Sequence, residues 1–141
     1  DFFKYLEELM LKVFVSEWYS GKSYTSKEMS YINYFNKLVG GVAIVQRRGK
    51  LADCYPGLYA DFYGKCHTDE IETGNFTSPV PTDAGEELVW KYDETNGGYT
   101  LFLSVANSQA ETLDLIQKFK HHLWLDKKTR YLEVKFAAYN G

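Results

Sequence analysis

The stretch from His122 to Asn140, HLWLDKKTRYLEVKFAAYN, constrains the fold of this chain more than any other part. Its second half alternates as an extended strand does, with apolar side chains at every second position on one side. That side carries Leu132, Val134, Phe136 and Ala138. Its first half ends a predicted helix and packs four distinctive residues into a short turn: Trp124, Asp126, Thr129 and Arg130. We expect an ion pair between Asp126 and Arg130 to fix the angle at which the strand leaves this turn.

The composition is that of one globular domain, because 141 residues suffice to bury a real core and a hydrophobic content of 45% is ordinary. The net charge is −3, and the densest basic runs lie around the predicted helix end, where cations offset exposed carbonyls. A nucleic-acid surface is therefore not expected. The aromatic content of 17% is high. Aromatic side chains suit sheets and interfaces, and they equally suit a carbohydrate-binding surface.

Cys54 and Cys66 enclose a segment rich in tyrosine and glycine. Close spacing in such a loop favours a disulfide formed in an oxidising compartment. Two buried free thiols are one alternative. A metal site is another, although such sites use three or four ligands and only His67 stands nearby. The one glycosylation sequon begins at Asn75, and together with the cysteines it indicates an extracellular or luminal location.

Two amphipathic helices are predicted. The first runs from Asp1 to about Ser20 and carries an apolar stripe at helical spacing. The second opens at a capping box formed by Ser108 and Glu111, and it ends near Leu125. We expect it to bury one face, made of Leu113, Ile116, Phe119 or the stem of Lys120, and Leu123. The tyrosine-rich segment from Glu28 to Leu38 has no decisive pattern.

Strands are predicted over Val42–Arg48, Leu88–Tyr92 and Tyr99–Ser104, and from Arg130 onward. Asn96-Gly97 is a strong signal for a hairpin between the second and the third of them. Residues 51–71 form an excursion closed by the two cysteines, with a helical turn between Leu58 and Tyr63. Because hairpins pair antiparallel strands, the predicted fold class is α+β, an antiparallel β-sheet with helices packed on one face and a disulfide-closed excursion.

No arrangement of residues in the sequence points to catalysis. Glycine-rich phosphate loops and the Gly-x-Ser-x-Gly motif of hydrolases are absent. His121 and His122 are adjacent, and adjacent side chains on a helix diverge by about 100°, so we expect two surface residues and no shared metal site. We predict neither an enzyme nor a bound cofactor.

Several segments in the same order resemble the polycystin family of transient-receptor-potential-like channels. Tyr34–Gly40 and Ile44–Arg48 resemble the approach to the first strand of the family's extracellular polycystin-mucolipin domain, and that strand itself. The cysteines stand where the family has a short disulfide-closed excursion, and Trp90–Ser104 resembles its Gly-Tyr hairpin. The most specific match is Trp124-Leu125-Asp126-x-x-Thr129-Arg130, followed by a strand that reaches Asn140. The chain departs from the family in the loop from Leu51 to Glu87.

The resemblance implies a single extracellular domain over residues 1–141, excised from between the first and second transmembrane helices of a channel. In the family, four copies form a ring over a cation pore. The implied function is assembly and gating coupling in a tetrameric, calcium-permeable cation channel of the plasma membrane, cilium or endoplasmic reticulum. The implied partners are other copies of the domain or a related polycystin subunit, and the transmembrane body. The excursion would reach the neighbouring copy, with a candidate interface of Arg48, Tyr55, Tyr59, Phe62 and Tyr63.

Two alternatives stay open at this point. One is a secreted ligand- or carbohydrate-binding module that uses exposed tyrosines together with Trp18 and Trp90. The other is a hydrolase whose site carries no recognisable motif. The chain begins inside a predicted helix and ends just past a predicted strand, which indicates a piece of a longer protein.

Overall fold

A computed structural model describes residues 1–13, 20–23, 25, 31–32, 36–55 and 57–140. The elements follow one another as α1 (Phe2–Val13), β1 (Tyr31–Ile32), β2 (Asn36–Asp53), α2 (Ala60–Tyr63), β3 (Lys65–Ile71), β4 (Phe76–Thr77), β5 (Val89–Trp90), β6 (Tyr99–Ser104), α3 (Gln109–His121) and β7 (Thr129–Asn140). The predicted continuation of α1 toward Ser20, most of the segment from Glu28 to Leu38, and Trp18 lie outside the described residues. No helix within the described ranges has the length and hydropathy needed to cross a bilayer.

The long strand β2 organises the main sheet. Strand β7 pairs with it antiparallel from Arg48 opposite Thr129 to Asn36 opposite Asn140. Strands β6 and β7 both pair with Val42, so they flank β2 on opposite sides. Strand β1 pairs with the start of β2 and β3 with its end. The predicted α+β class with an antiparallel sheet is confirmed.

The predicted strand from Val42 to Arg48 is confirmed but extends further in both directions. Gly40 and Gly41 do not end the strand, because they form a bulge within it. Gly40 has a φ of 75°, which favours glycine, and the register with β7 shifts between Val39 and Val42. At Gly41 a Cβ atom would lie 2.3 Å from the carbonyl oxygen of Leu103, so only glycine lets the two strands approach.

The core lies between the sheet and the helices α1 and α3. The buried face of β6 carries Tyr99, Leu101 and Leu103, each at most 1% exposed, and they alternate with more exposed neighbours as predicted. Helix α1 contributes Phe3 and Leu6, and helix α3 contributes Ile116 and Phe119. The helices therefore cover one face of the sheet, as the sequence predicts.

The predicted hairpin at Asn96-Gly97 is half right. The turn exists, with Gly97 at a φ of 68° and an isolated bridge between Asp93 and Gly98. The flanking strands, however, pair elsewhere: β5 pairs with β4, and β6 pairs with β2. The reason is burial, because the apolar face of β6 belongs to the main core whereas Val89 in β5 is 43% exposed.

The end of α3 corrects two predictions. The capping box at Ser108 and Glu111 is confirmed, but the helix ends at His121 and not near Leu125. Leu123 has a φ of 51° and is 46% exposed, so it is not a core residue. The amide of Trp124 donates to the Phe119 carbonyl at 3.0 Å and the amide of Leu123 to that of Lys120 at 3.2 Å. These two bonds form a Schellman motif, which reverses the chain and points Trp124 into the core in place of Leu123.

His122 is buried, contrary to the prediction of two surface histidines. Its side chain is 7% exposed, and its Nδ1 lies 3.0 Å from the carbonyl oxygen of Val80. A carbonyl can only accept, so this Nδ1 carries the proton. The backbone carbonyl of His122 also accepts the Ser78 hydroxyl at 2.7 Å. The helix-ending turn therefore packs His122 beneath the loop after β4, while His121 stays exposed.

Candidate functional site: the excursion and the Arg48 junction

The excursion, residues 51–71, is a disulfide-closed hairpin. Cys54 and Cys66 are bonded with their Cα atoms 4.9 Å apart, so the disulfide favoured by the sequence is confirmed. The predicted helical turn is the short helix α2. The returning strand β3 was not predicted, because its sequence KCHTDEI has no apolar alternation and all its residues lie at the surface or are only partly buried. It pairs with residues 49–53 of β2, which makes the excursion a direct extension of the main sheet.

The tip of the excursion exposes apolar side chains. Helix α2 has no buried residue. Phe62 is 84% exposed and Leu58 is 93% exposed. The rings of Tyr55 and Tyr63 lie 4.6 Å apart and so brace each other across the turn. Tyr59 is also exposed, and we call the five exposed apolar residues of this short segment the aromatic tip: Tyr55, Leu58, Tyr59, Phe62 and Tyr63. Clusters of this kind mark interaction surfaces more often than isolated exposed apolar residues do.

Arg48 does not lie on this surface, although the sequence placed it in the candidate interface. It is 3% exposed and sits where β2 leaves the core for the excursion. Its guanidinium donates to both carboxylate oxygens of Asp126, at 2.8 and 2.9 Å, and to Glu72 at 3.0 Å. Its Cζ lies 3.7 Å from the ring centroid of Phe76. The planar guanidinium thus binds one carboxylate through two hydrogen bonds and a second carboxylate through one, while it stacks on an aromatic ring.

These contacts join three parts of the chain: β2, which carries Arg48, the residue after β3, and the turn before β7. Glu72 follows β3, Asp126 lies in the turn before β7, and Lys128 from that turn also binds Glu72. Burial disfavours the charged form of Glu72, but hydrogen bonds from Lys128 and Arg48 outweigh this effect and hold the pKa of Glu72 below its ordinary value. We call these residues the Arg48 junction: Arg48, Glu72, Phe76, Asp126 and Lys128.

The four residues of the most specific family match occupy this region, but Asp126 and Arg130 do not pair with each other. Asp126 is held by Arg48, while Arg130 reaches the other way to the Thr68 carbonyl at 2.7 Å and to Asp69 at 3.5 Å. Thr129 accepts Gln46 Nε2 at 2.6 Å and the Asp126 amide at 3.1 Å. The expected ion pair is therefore replaced by two longer-range links, which tie the turn to β2 and β3.

One signal in the sequence could have located the junction. Val42, Ile44, Gln46 and Arg48 share one side of the strand, so the core-facing row changes from apolar to polar at its carboxyl end. A buried arginine requires carboxylate partners. The sequence does not say which of the 19 acidic residues supply them.

The alternative of a carbohydrate surface loses one of its proposed contributors. Trp90 packs against Phe119 with ring centroids 4.5 Å apart, and its indole nitrogen is buried. It is therefore a partly buried residue at the boundary of the core, and its packing there accounts for it without a bound sugar. Within the described ranges, no three His, Cys, Asp or Glu side chains converge as a metal site requires.

Asn75 is exposed, as the sequon requires. Its side-chain oxygen accepts the Tyr92 amide at 3.1 Å, which orients the side chain at the surface.

The sequence of the chain is similar to those of known proteins. The sequence model of the family described as Polycystin domain matches residues 87–141. Over all of the chain, the sequence is 26% identical to polycystin-2 of Danio rerio, 25% identical to location of vulva defective 1 of Caenorhabditis elegans and 22% identical to polycystin-2-like protein 1 of Homo sapiens. The chain spans 17%, 5% and 19% of these relatives, respectively. The resemblance to the polycystin family is thus confirmed, and residues 87–141 are the part of the chain that matches the family's domain.

Proposed function

We propose that this domain is an extracellular or luminal assembly and gating-coupling module of a polycystin-like tetrameric cation channel that is permeable to calcium. The similarity to polycystin-2 and its relatives supports a channel component. In this proposal the domain lies between the first and second transmembrane helices, and it makes and breaks no covalent bonds. Its partners are other copies or a related polycystin subunit, and the membrane-embedded body.

The aromatic tip is the observation that carries this proposal. A rigid hairpin with exposed Phe62 and Leu58 places apolar surface well away from its own core. In a ring of copies, this surface would pack against the neighbouring domain and be removed from water. The Arg48 junction would transmit force between the tip and strand β7, because Arg48 binds the residues that follow β3 and precede β7.

Photo-crosslinking in the full-length channel tests the ring contact. A photoreactive phenylalanine analogue is placed at position 62 in the aromatic tip. A matched control carries it at position 5, where Tyr5 is 59% exposed on helix α1. The proposal predicts covalent links between subunits from position 62 and few from position 5. Links confined to one subunit at position 62 would reject the ring contact.

We also propose that Asn75 carries an N-linked glycan. The exposed sequon and the disulfide together support a location in an oxidising, glycosylating compartment. Expression in a secretory pathway should yield a mass shift that a glycosidase removes. The shift should be absent in Asn75→Gln, and a wild-type protein of unmodified mass would contradict the proposal.

A further inference from the structure

Strand β7 forms an outer edge of the main sheet in the part of the chain that the structure describes. Among the described residues its backbone ladder is formed with β2 alone, over almost the full length of β7. Within those residues, the amides and carbonyls of β7 that point away from β2 have no strand beside them. Such an edge is a ready template for another strand, and proteins usually shield it with prolines, charges, bulges or a covering loop.

The side chains of β7 give little of this shielding. Tyr131, Phe136 and Tyr139 are 54%, 61% and 65% exposed, and Val134 is 42% exposed. Val134 and Phe136 lie opposite Ile44 and Val42 of β2, which are at most 3% exposed. The apolar surface of the core therefore continues outward to the free edge. Between residues 131 and 140 the only charges are those of Glu133 and Lys135.

We propose that two copies of this chain pair edge to edge through β7, antiparallel, about a two-fold axis at Val134. In this register Glu133 lies opposite the partner's Lys135, and Lys135 lies opposite the partner's Glu133. Leu132 lies opposite the partner's Phe136 on the apolar side. Val134 lies opposite its own copy on the axis, and every other cross-strand pair occurs twice, once on each side of the axis, as an isologous contact requires.

Charge selects this register over its neighbours. An axis at Glu133 would oppose two carboxylates, and an axis at Lys135 would oppose two ammonium groups, both of which destabilise a strand pair. Glu133 now has contacts of 3.4 Å with Arg47 and with Lys135 in its own chain. These side chains are between 40% and 48% exposed, so such pairs are weak and can rearrange. An axis through a residue, perpendicular to the sheet, also keeps the helices of both copies on the same face.

This contact is independent of the ring proposed above. The ring uses the aromatic tip in a head-to-tail arrangement, whereas the β7 contact joins identical surfaces about a two-fold axis. Either contact can form without the other, so failure of one does not reject the other.

Sedimentation of the 141-residue chain over a range of concentrations tests the proposal. Wild type should show a monomer–dimer equilibrium. Lys135→Glu should weaken it at least tenfold, because two carboxylates then meet at each of two sites. The charge swap Glu133→Lys with Lys135→Glu should restore it, since opposite charges meet again. Lys127→Glu makes the same change of charge at an exposed position of the turn before β7 and should dimerise as wild type does.

Disulfide trapping tests the register separately. Val134→Cys should form a covalent dimer under mild oxidation, since position 134 of one copy lies opposite position 134 of the other on the axis. Ala137→Cys should not, because two copies of position 137 would lie six residues apart, about 20 Å, which is beyond disulfide reach. The proposal is overturned if wild type is monomeric at all concentrations, if Lys135→Glu and the charge swap dimerise equally, or if Ala137→Cys links as efficiently as Val134→Cys.

Discussion

Trp124 holds the end of helix α3 against the sheet. The ring is 1% exposed, and its centroid lies 5.3 Å from that of Phe119. This is the contact between the residue after the turn and the last helical turn that accompanies a Schellman motif. The packing and the backbone reversal therefore support each other at this residue.

Replacing Trp124 by Ala should lower the free energy of unfolding by about 3–5 kcal/mol, because it removes a fully buried ring and leaves a cavity. Chemical denaturation measures the change. Leu123→Gly is the matched control, since Leu123 is half exposed and its positive φ suits glycine. A Trp124→Ala variant as stable as wild type would show that the ring is not part of the core.

Arg48 is the second residue on which the structure depends. Arg48→Gln should cost about 2–4 kcal/mol of stability, because it removes a buried guanidinium that binds Asp126 at both carboxylate oxygens and Glu72 at one, and Glu72 then keeps only Lys128. The control is Lys50→Gln on the same strand, whose partner Glu70 is exposed, so its loss should change stability little. Equal effects of the two substitutions, measured by denaturant titration, would argue against a special role for the junction.

Glu72 makes part of this stability dependent on pH. Its pKa in the folded chain is below the ordinary value of 4.5. The carboxylate therefore stabilises the fold above that pH, and this contribution is lost as the pH falls through the lowered pKa. The difference in stability between wild type and Glu72→Gln should be largest near neutral pH and should shrink in acid below the ordinary value. A difference that stays constant down to acid pH would contradict the assignment.

At the scale of elements, the excursion extends the main sheet and is closed by a disulfide bond. The hydrogen bonds of the β2–β3 pair define its stem, and the disulfide closes the tip that carries α2. Since α2 buries no side chain, packing against the core contributes nothing there. The covalent bond is therefore the main constraint on the tip.

The native chain should yield no alkylatable thiol without reductant and two after reduction. Replacing both Cys54 and Cys66 by Ser should lower stability by about 3 kcal/mol in the chain-entropy description of such a loop. Mass analysis and denaturation measure these two effects. Two reactive thiols in the unreduced native protein would contradict the structure.

At the scale of the whole molecule, stability and recognition reside in different places. The core and the Arg48 junction hold the fold, while the aromatic tip and the edge of β7 present apolar surface to the outside. Recognition surfaces carried on a rigid scaffold can change without a change of fold.

Phe62→Ser should therefore leave the stability of the isolated chain within about 0.5 kcal/mol of wild type, as surface substitutions usually do. In the full-length channel proposed above it should weaken assembly or alter gating, because the proposed ring contact then loses an aromatic anchor. Thermal denaturation of the chain and native sizing of the channel measure the two effects. A large loss of stability with normal assembly would show that Phe62 supports the fold and does not serve recognition.

The sequence by itself determined the elements whose signals are local. The capping box placed the start of α3, alternation placed β6 and β7, and close spacing favoured the disulfide. Each of these depends on residues only a few positions apart, so periodicity and turn chemistry suffice to find them. The aromatic tip was also expected, because its residues lie within one short excursion.

Only the tertiary structure decided what depends on distant partners. It assigned Asp126 to Arg48, 78 residues away, and not to Arg130. It paired β5 with β4, turned His122 inward and left Val134 42% exposed on a strand that pairs only with β2 among the described residues. A buried guanidinium binds whichever carboxylates the folded chain brings within reach, and a strand edge is free or covered according to which strands arrive beside it. The spacing of neighbouring residues predicts neither the partners of the guanidinium nor the pairing of the strand edge, because both depend on long-range packing of the whole domain.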